Sequence, residues 1–303
     1  MTVRKDTRYV LDKLAWMRAE HIWPNGLRYL WTDAFGVVVL VSLYAASGER
    51  SYLDQAESVV ADVDRVLGRR RGIRIGEADD RDGQYFHYLA MWFYALAVLG
   101  RHRPDYIRKG VELVRQVHDA FVVAGRGVIW KMSEDLSRPY PGYGFGALDA
   151  YDGYVAYRLL DAKALSREIA DMRLLIDQSA PALRITQDLG VGMMLWMTQF
   201  FPEEAWSQTQ RARCLGMLDR MWVDAGDGGY FCREPGHRDV KFAFTNYGVS
   251  IGLQAVNAMP ERIDRLNTFF EAYRSGDQYD REAITHVMAC GSHFPGYLVR
   301  DFG

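Results

Sequence analysis

Cysteine is scarce in this chain of 303 residues: only Cys214, Cys232 and Cys290 occur. An odd number at scattered spacings makes no disulfide framework and suits a reducing compartment. Net charge is also small, -2 from 37 basic and 39 acidic residues, so no broad field draws nucleic acid or anionic lipid. The short run Arg69-Arg70-Arg71 reads as a solvated helix end. The opening MTVRKDTRYVLDKL lacks the apolar core of a signal peptide. The most apolar stretch, Ala34 to Ala46, is too short to span a bilayer. These absences predict a cytoplasmic protein that binds no nucleic acid and enters no membrane. There is no Walker loop, no dinucleotide fingerprint and no Gly-x-Ser-x-Gly elbow, so no cofactor is expected.

Apolar residues, by contrast, make up 49% of the chain, and aromatics 13%, with 8 Trp and 18 Tyr. That suffices for a large core, with rings to spare for lining a pocket. Two kinds of helical segment alternate. Tyr9 to Trp23, Ser51 to Leu67 and Tyr106 to Val122 have one apolar face. Thr32 to Ala46 and Gln84 to Leu99 are apolar nearly all round. The alternation continues through Asp152 to Leu160 and Lys163 to Asp177, Asp188 to Phe200 and Glu203 to Val223, then Asn246 to Val256 and Arg262 to Tyr273. A last segment starts near Thr285. A helix apolar on all sides is buried, and one with a polar face meets water. Six such pairs predict one all-α domain over residues 1–303, an (α/α)6 barrel of helical hairpins. An open solenoid would want tighter repetition and polar end caps. Short β-hairpins are expected at Gly127 to Met132 and at Gly228 to Cys232, returning through Val240 to Phe244.

The inner helices share an opening in which a polar residue precedes Gly or Ala: Thr32-Asp33-Ala34, Asp82-Gly83, Asp152-Gly153, Asp188-Leu189-Gly190 and Asn246-Tyr247-Gly248. Each polar residue alone reads as an N-cap. In a ring, however, these starts crowd one mouth, and carboxylates sharing a confined volume can divide into an acid and a base. Catalysis is therefore assigned to Asp82 and Asp152, with Asp33 and Asp188 binding or orienting and His87 assisting from one turn inside the mouth. Asp149 and Asp152, three apart, share a face if that turn is helical. Trp31, Gln84, Tyr85, Asp149, Tyr151, Asn246, Tyr247 and His286 are assigned to a small-molecule substrate. No ligand-spacing signature supports a metal, although His286 and Cys290 lie one turn apart. Most other aromatics, Trp16 and Trp130 among them, read as core.

With its alternating helices, acidic inner starts and aromatic lining, the chain resembles the six-hairpin glycosidase-like superfamily of (α/α)6 toroids. The segments RYLWTDAF, DGQYFHYL and WKMSEDLSRP look like those of a bacterial family without a named activity. The resemblance implies a sugar-active enzyme, a hydrolase or an epimerase. The tail GSHFPGYLVRDF is similar to the end of N-acylglucosamine and cellobiose 2-epimerases, but Leu298 or Val299 stands where those have His. Terpenoid cyclases and dehydratase-isomerases use related toroids, and Met91, Trp92, Phe93, Met193, Met194, Trp196 and Met197 would suit their drier sites. A non-catalytic scaffold, with the aspartates as caps alone, is the third reading.

Overall fold

The structure, a computed structural model, describes residues 6–223, 242–274, 276 and 280–299. It contains twelve described α-helices: α1 (Thr7–Ala19), α2 (Leu30–Ser47), α3 (Ser51–Val66), α4 (Phe86–Gly100), α5 (Asp105–Phe121), α6 (Asp149–Asp161), α7 (Ser166–Ser179), α8 (Asp188–Thr198), α9 (Ala205–Val223), α10 (Ala243–Ala255), α11 (Pro260–Ala272) and α12 (Ala283–His293). They fall into two compact units, one of residues 26–183 and one of residues 1–25 with 184–303.

In the first unit α2 packs on α3 and α4, α4 on α5 and α6, and α6 on α7. The burial follows the patterning. Every residue of α2 from Leu30 to Leu43 is buried, whereas α3 buries only Leu53, Ala56, Val59, Val60 and Val63. That is one stripe at helical spacing, with the rest of α3 left to water. The helix α2 outgrows the apolar stretch that nucleates it. At 18 residues it is long and apolar enough to cross a membrane by length and composition, but 78% of it is buried inside the fold. Its neighbours in the core account for its apolarity, each buried Val or Leu contributing about 1.5–3 kcal/mol.

In the second unit α8 packs on α9 and α10, α10 on α11 and α12, and α1 on α12. The contact of α8 with α10 is backbone to backbone. A Cβ on Gly192 would lie 2.5 Å from the carbonyl oxygen of Gly248, and one on Gly252 would lie 2.2 Å from that of Gly192. Only residues without a side chain allow this approach.

The segment Gly127 to Met132 is not one hairpin but the meeting of two ladders. Strand β3 (Gly127–Val128) pairs with β2 (Val122–Val123), and β4 (Lys131–Met132) pairs with β1 (Gln84–Tyr85), both antiparallel. The second ladder ties the α5–α6 connection to the start of α4, 46 residues earlier by the Tyr85–Lys131 register. Local sequence patterning cannot reveal that partner. Of the other expected hairpin, Gly228 to Cys232 and Val240–Lys241 lie outside the described residues, and Ala243 and Phe244 begin α10.

Candidate active site

None of the predicted acidic residues is an N-cap. The caps of α2, α6, α8 and α10 are Tyr29, Leu148, Gln187 and Phe242. The polar residues stand within the first turn. Asp33, Asp152, Asn246 and His286 are each the fourth residue of their helix, and Asp149 and Asp188 are the first of theirs. The first turn is where unpaired N–H groups favour negative charge.

The unit of residues 26–183 gathers four of the predicted residues into one cluster. His87 donates from Nδ1 to Asp152 Oδ2 at 2.7 Å. The Trp31 ring lies flat against the imidazole, centroids 4.4 Å apart at 26°. Asp149 sits one turn before Asp152 on α6, also buried. Tyr88, which the sequence reading passed over, closes the cluster beside Trp31 and His87, its hydroxyl bonded to that of Tyr29. Burial first, and then the charge of Asp152, push the Asp149 carboxyl up to about 8, despite an opposing pull from His87. Its Oδ1 is buried without a hydrogen-bond partner. Burial lowers the basicity of His87, but the charge and hydrogen bond of Asp152 outweigh it, and the net shift is upward. Asp149 therefore keeps its proton at neutral pH beside the His87–Asp152 pair. Gly146 makes room for it: a Cβ there would fall 1.6 Å from Asp149 Oδ2.

Four other predicted residues of this unit lie outside that cluster. Asp33 is 0% exposed and pairs with buried Arg28 at 3.1 Å while accepting from the Tyr29 backbone N–H, so it holds the entry to α2. Gln84 is fully buried too. Its amide is used up by loop backbone, accepting from Ile73 and donating to the carbonyls of Arg71 and Glu134. Tyr151 is 0% exposed. Two residues on from Asp149, it points about 200° around the helix from it, into the core. Asp82 lies before α4, with 37% of its side chain exposed. The hydroxyl of Tyr140 donates to it at 2.7 Å, and the Lys131 ammonium at 3.2 Å. The Tyr140 bond above all, with Lys131, holds its carboxyl below the usual range, which suits an acceptor and not an acid.

Tyr85 stands at the edge of this cluster, its hydroxyl donating to Tyr143 at 3.3 Å and its ring parallel to Trp130. Trp130 itself is 44% exposed, against the core reading, as is Trp16 at 38%. The residues that would have suited an isoprenoid wall are packed instead: Met91, Trp92, Phe93, Met193, Met194, Trp196 and Met197 are all buried.

In the other unit Asp188 accepts from Thr245 at 3.2 Å and from Asn246 at 3.4 Å. Tyr247 and His286 line a separate cavity of about 40 Å³ with Lys13, Glu271 and Thr285, room for a few waters. Burial presses the His286 imidazole down to about 4, and its Nε2 bonds the Asp280 carbonyl at 2.9 Å. It is thus a neutral donor at physiological pH. Lys13 and Glu271 carry no helical-start pattern, and the sequence reading had no signal for them. Among the described residues no three His, Cys, Asp or Glu side chains gather as a metal site would need.

No family model matches the chain, and no curated protein matches it in sequence. Solved structures match it in fold. The GH76 α-mannanase of Bacteroides thetaiotaomicron superposes with a TM-score of 0.67 at 11% identity, covering 97% of each chain. A D-mannose isomerase gives 0.63 at 12%, covering 90% of this chain and 88% of its own. The cellobiose 2-epimerase of Spirochaeta thermophila gives 0.61 at 12%, covering 89% and 86%. At such identities the likeness speaks for architecture alone: the chain shares the mostly helical (α/α)6 fold of these structures.

Proposed function

We propose that the protein is a sugar-acting enzyme that moves a proton at the carbon beside the sugar's carbonyl, as an epimerase or aldose–ketose isomerase does. The observation that carries this reading is the His87–Asp152 pair with protonated Asp149 one turn away. Proton transfer needs a base and an acid side by side. Asp152 holds Nδ1 of His87, which leaves Nε2 to take the carbon-bound proton. Asp149 donates to the carbonyl oxygen, and its partnerless Oδ1 is suited to meet it. The product is an enediol, which regains a proton on the other face or the other carbon. The stacked Trp31 ring fixes the imidazole plane.

Glycoside cleavage fits less well. It calls for two carboxyl groups on opposite sides of the scissile bond. Asp149 and Asp152 lie one turn apart on a single helix. The fold neighbours include both isomerising and hydrolytic sugar enzymes, so the fold supports a sugar substrate without choosing between these reactions.

The test is solvent exchange. Mannose, glucose and cellobiose are incubated with enzyme in deuterated water and followed by NMR. The expected result is deuterium at the carbon next to the carbonyl, lost in His87→Gln and Asp149→Asn variants. Release of free sugar from glycosides with no exchange would sink the proton-transfer reading.

A further inference from the structure

We propose that exposed Trp130 and half-buried Tyr143, with the Asp82–Lys131–Tyr140 group, form a subsite for a second pyranose ring, so that the substrate is a disaccharide or the end of a longer glycoside. The proposal rests on the sugar reading of the His87 cluster.

Trp130 is placed by backbone at the door of that cluster. Its carbonyl accepts from the N–H of Phe86 at 3.2 Å, one residue before His87. Its N–H donates to the Gly144 carbonyl at 2.9 Å, which pins the opposite side of the loop. The indole lies parallel to Tyr85 at 5.7 Å and 15°, and the edge of Tyr143 meets it at 5.3 Å. From there ring contacts run inward, Tyr85 to Tyr88 at 5.2 Å and Tyr88 to His87 at 6.2 Å. A continuous aromatic path thus joins an exposed indole to the proposed base.

An exposed Trp on its own would mean little. Here polar groups of complementary chemistry stand beside it. A pyranose ring offers an apolar C–H face and an equator of hydroxyls. The first wants a flat ring, and the second want fixed acceptors and donors. Asp82 supplies the acceptor. It is held ionised by Tyr140 and Lys131, is partly open to solvent, and each oxygen keeps a lone pair beyond the bond it already makes. The Lys131 ammonium is wedged among three tyrosines, 3.8 Å from the Tyr140 centroid and 5.3 Å from those of Tyr85 and Tyr143. Buried in this way, it fixes Asp82 in place against the ring platform. The ion pair is built around a carboxylate that stays partly open to solvent beside the indole platform.

Titration calorimetry with four probes tests the assignment: glucose against cellobiose, and mannose against α-1,6-mannobiose. The wild-type protein is expected to bind one disaccharide about tenfold more tightly than its monosaccharide, a ratio in keeping with one ring stack. Trp130→Ala brings that ratio to about one, and Trp130→Phe, which keeps a ring, retains most of it. Since Trp130 is exposed, neither change opens the core. A wild-type ratio of one, or a ratio that Trp130→Ala does not move, overturns the subsite while leaving the His87 chemistry standing. Absence of binding by all four sugars overturns the sugar reading and the subsite with it.

Discussion

Asp149 is acidic at the wrong pH for a carboxyl because it has lost water and gained a negative neighbour. His87 is basic above its usual range because Asp152 grips it. If the two act as acid and base, kcat/KM follows a bell. The low-pH limb, where His87 must shed its proton, lies above 6.5. The high-pH limb, where Asp149 ionises, lies near 8. Asp152→Asn removes the charge that raises His87 and moves the low-pH limb downward, along with a loss of rate. A profile whose low-pH limb ignores Asp152 would show that the imidazole is not the base. Asp33 has the opposite character. Its partner Arg28 is buried with it, so Asp33→Ala strands a charge and costs about 3–5 kcal/mol, read as a fall in the urea midpoint. A midpoint unchanged in Asp33→Ala would mean that the pair is not structural.

At the scale of elements, the alternation of all-apolar and one-faced helices predicted every described helix to within a few residues. That pattern follows directly from which faces are buried. The choice of site residues was only partly legible. His87 and Asp152 lie at helix starts, where the shared opening points. Asp33, Asp82 and Asp188 lie there as well, and nothing local tells a carboxylate paired with buried Arg28 from one paired with His87. His87 reaches Asp152 from α4, 65 residues away, and Lys131 reaches Asp82 from β4, 49 residues away, while Arg28 lies just before α2 with no pattern that marks it as the partner of Asp33. The glycine contact of α8 with α10 is likewise invisible until the helices are laid together. Gly192→Ala would press a methyl group on the backbone of α10. It is expected to cost about 1–3 kcal/mol, or more if the helices cannot part. A variant with an unchanged melting temperature would mean that the α8–α10 spacing is looser than the structure has it.

For the molecule as a whole, the near balance of charge has a kinetic reading. A net charge of -2 spread over 303 residues does little to steer a ligand. A neutral sugar would feel less still. Raising salt from about 0.05 to 0.5 M, which shortens the screening length severalfold, should therefore leave kcat/KM unchanged within about twofold. A steep decline would point to an anionic substrate and away from the neutral sugars favoured above. The loop between α5 and α6 carries the consequence that reaches furthest. Trp130 hangs on Gly144, and two residues later Gly146 bonds Val128 and yields its side-chain space to the Asp149 carboxyl. On the reading proposed above, preference for a partner ring and the tuning of the acid both depend on one short stretch of backbone. A lineage that lengthened this loop to admit bulkier glycans would disturb its own proton donor. Specificity and acidity would have to drift together, and swapping the loop between relatives should transplant a pH optimum along with a taste in substrates.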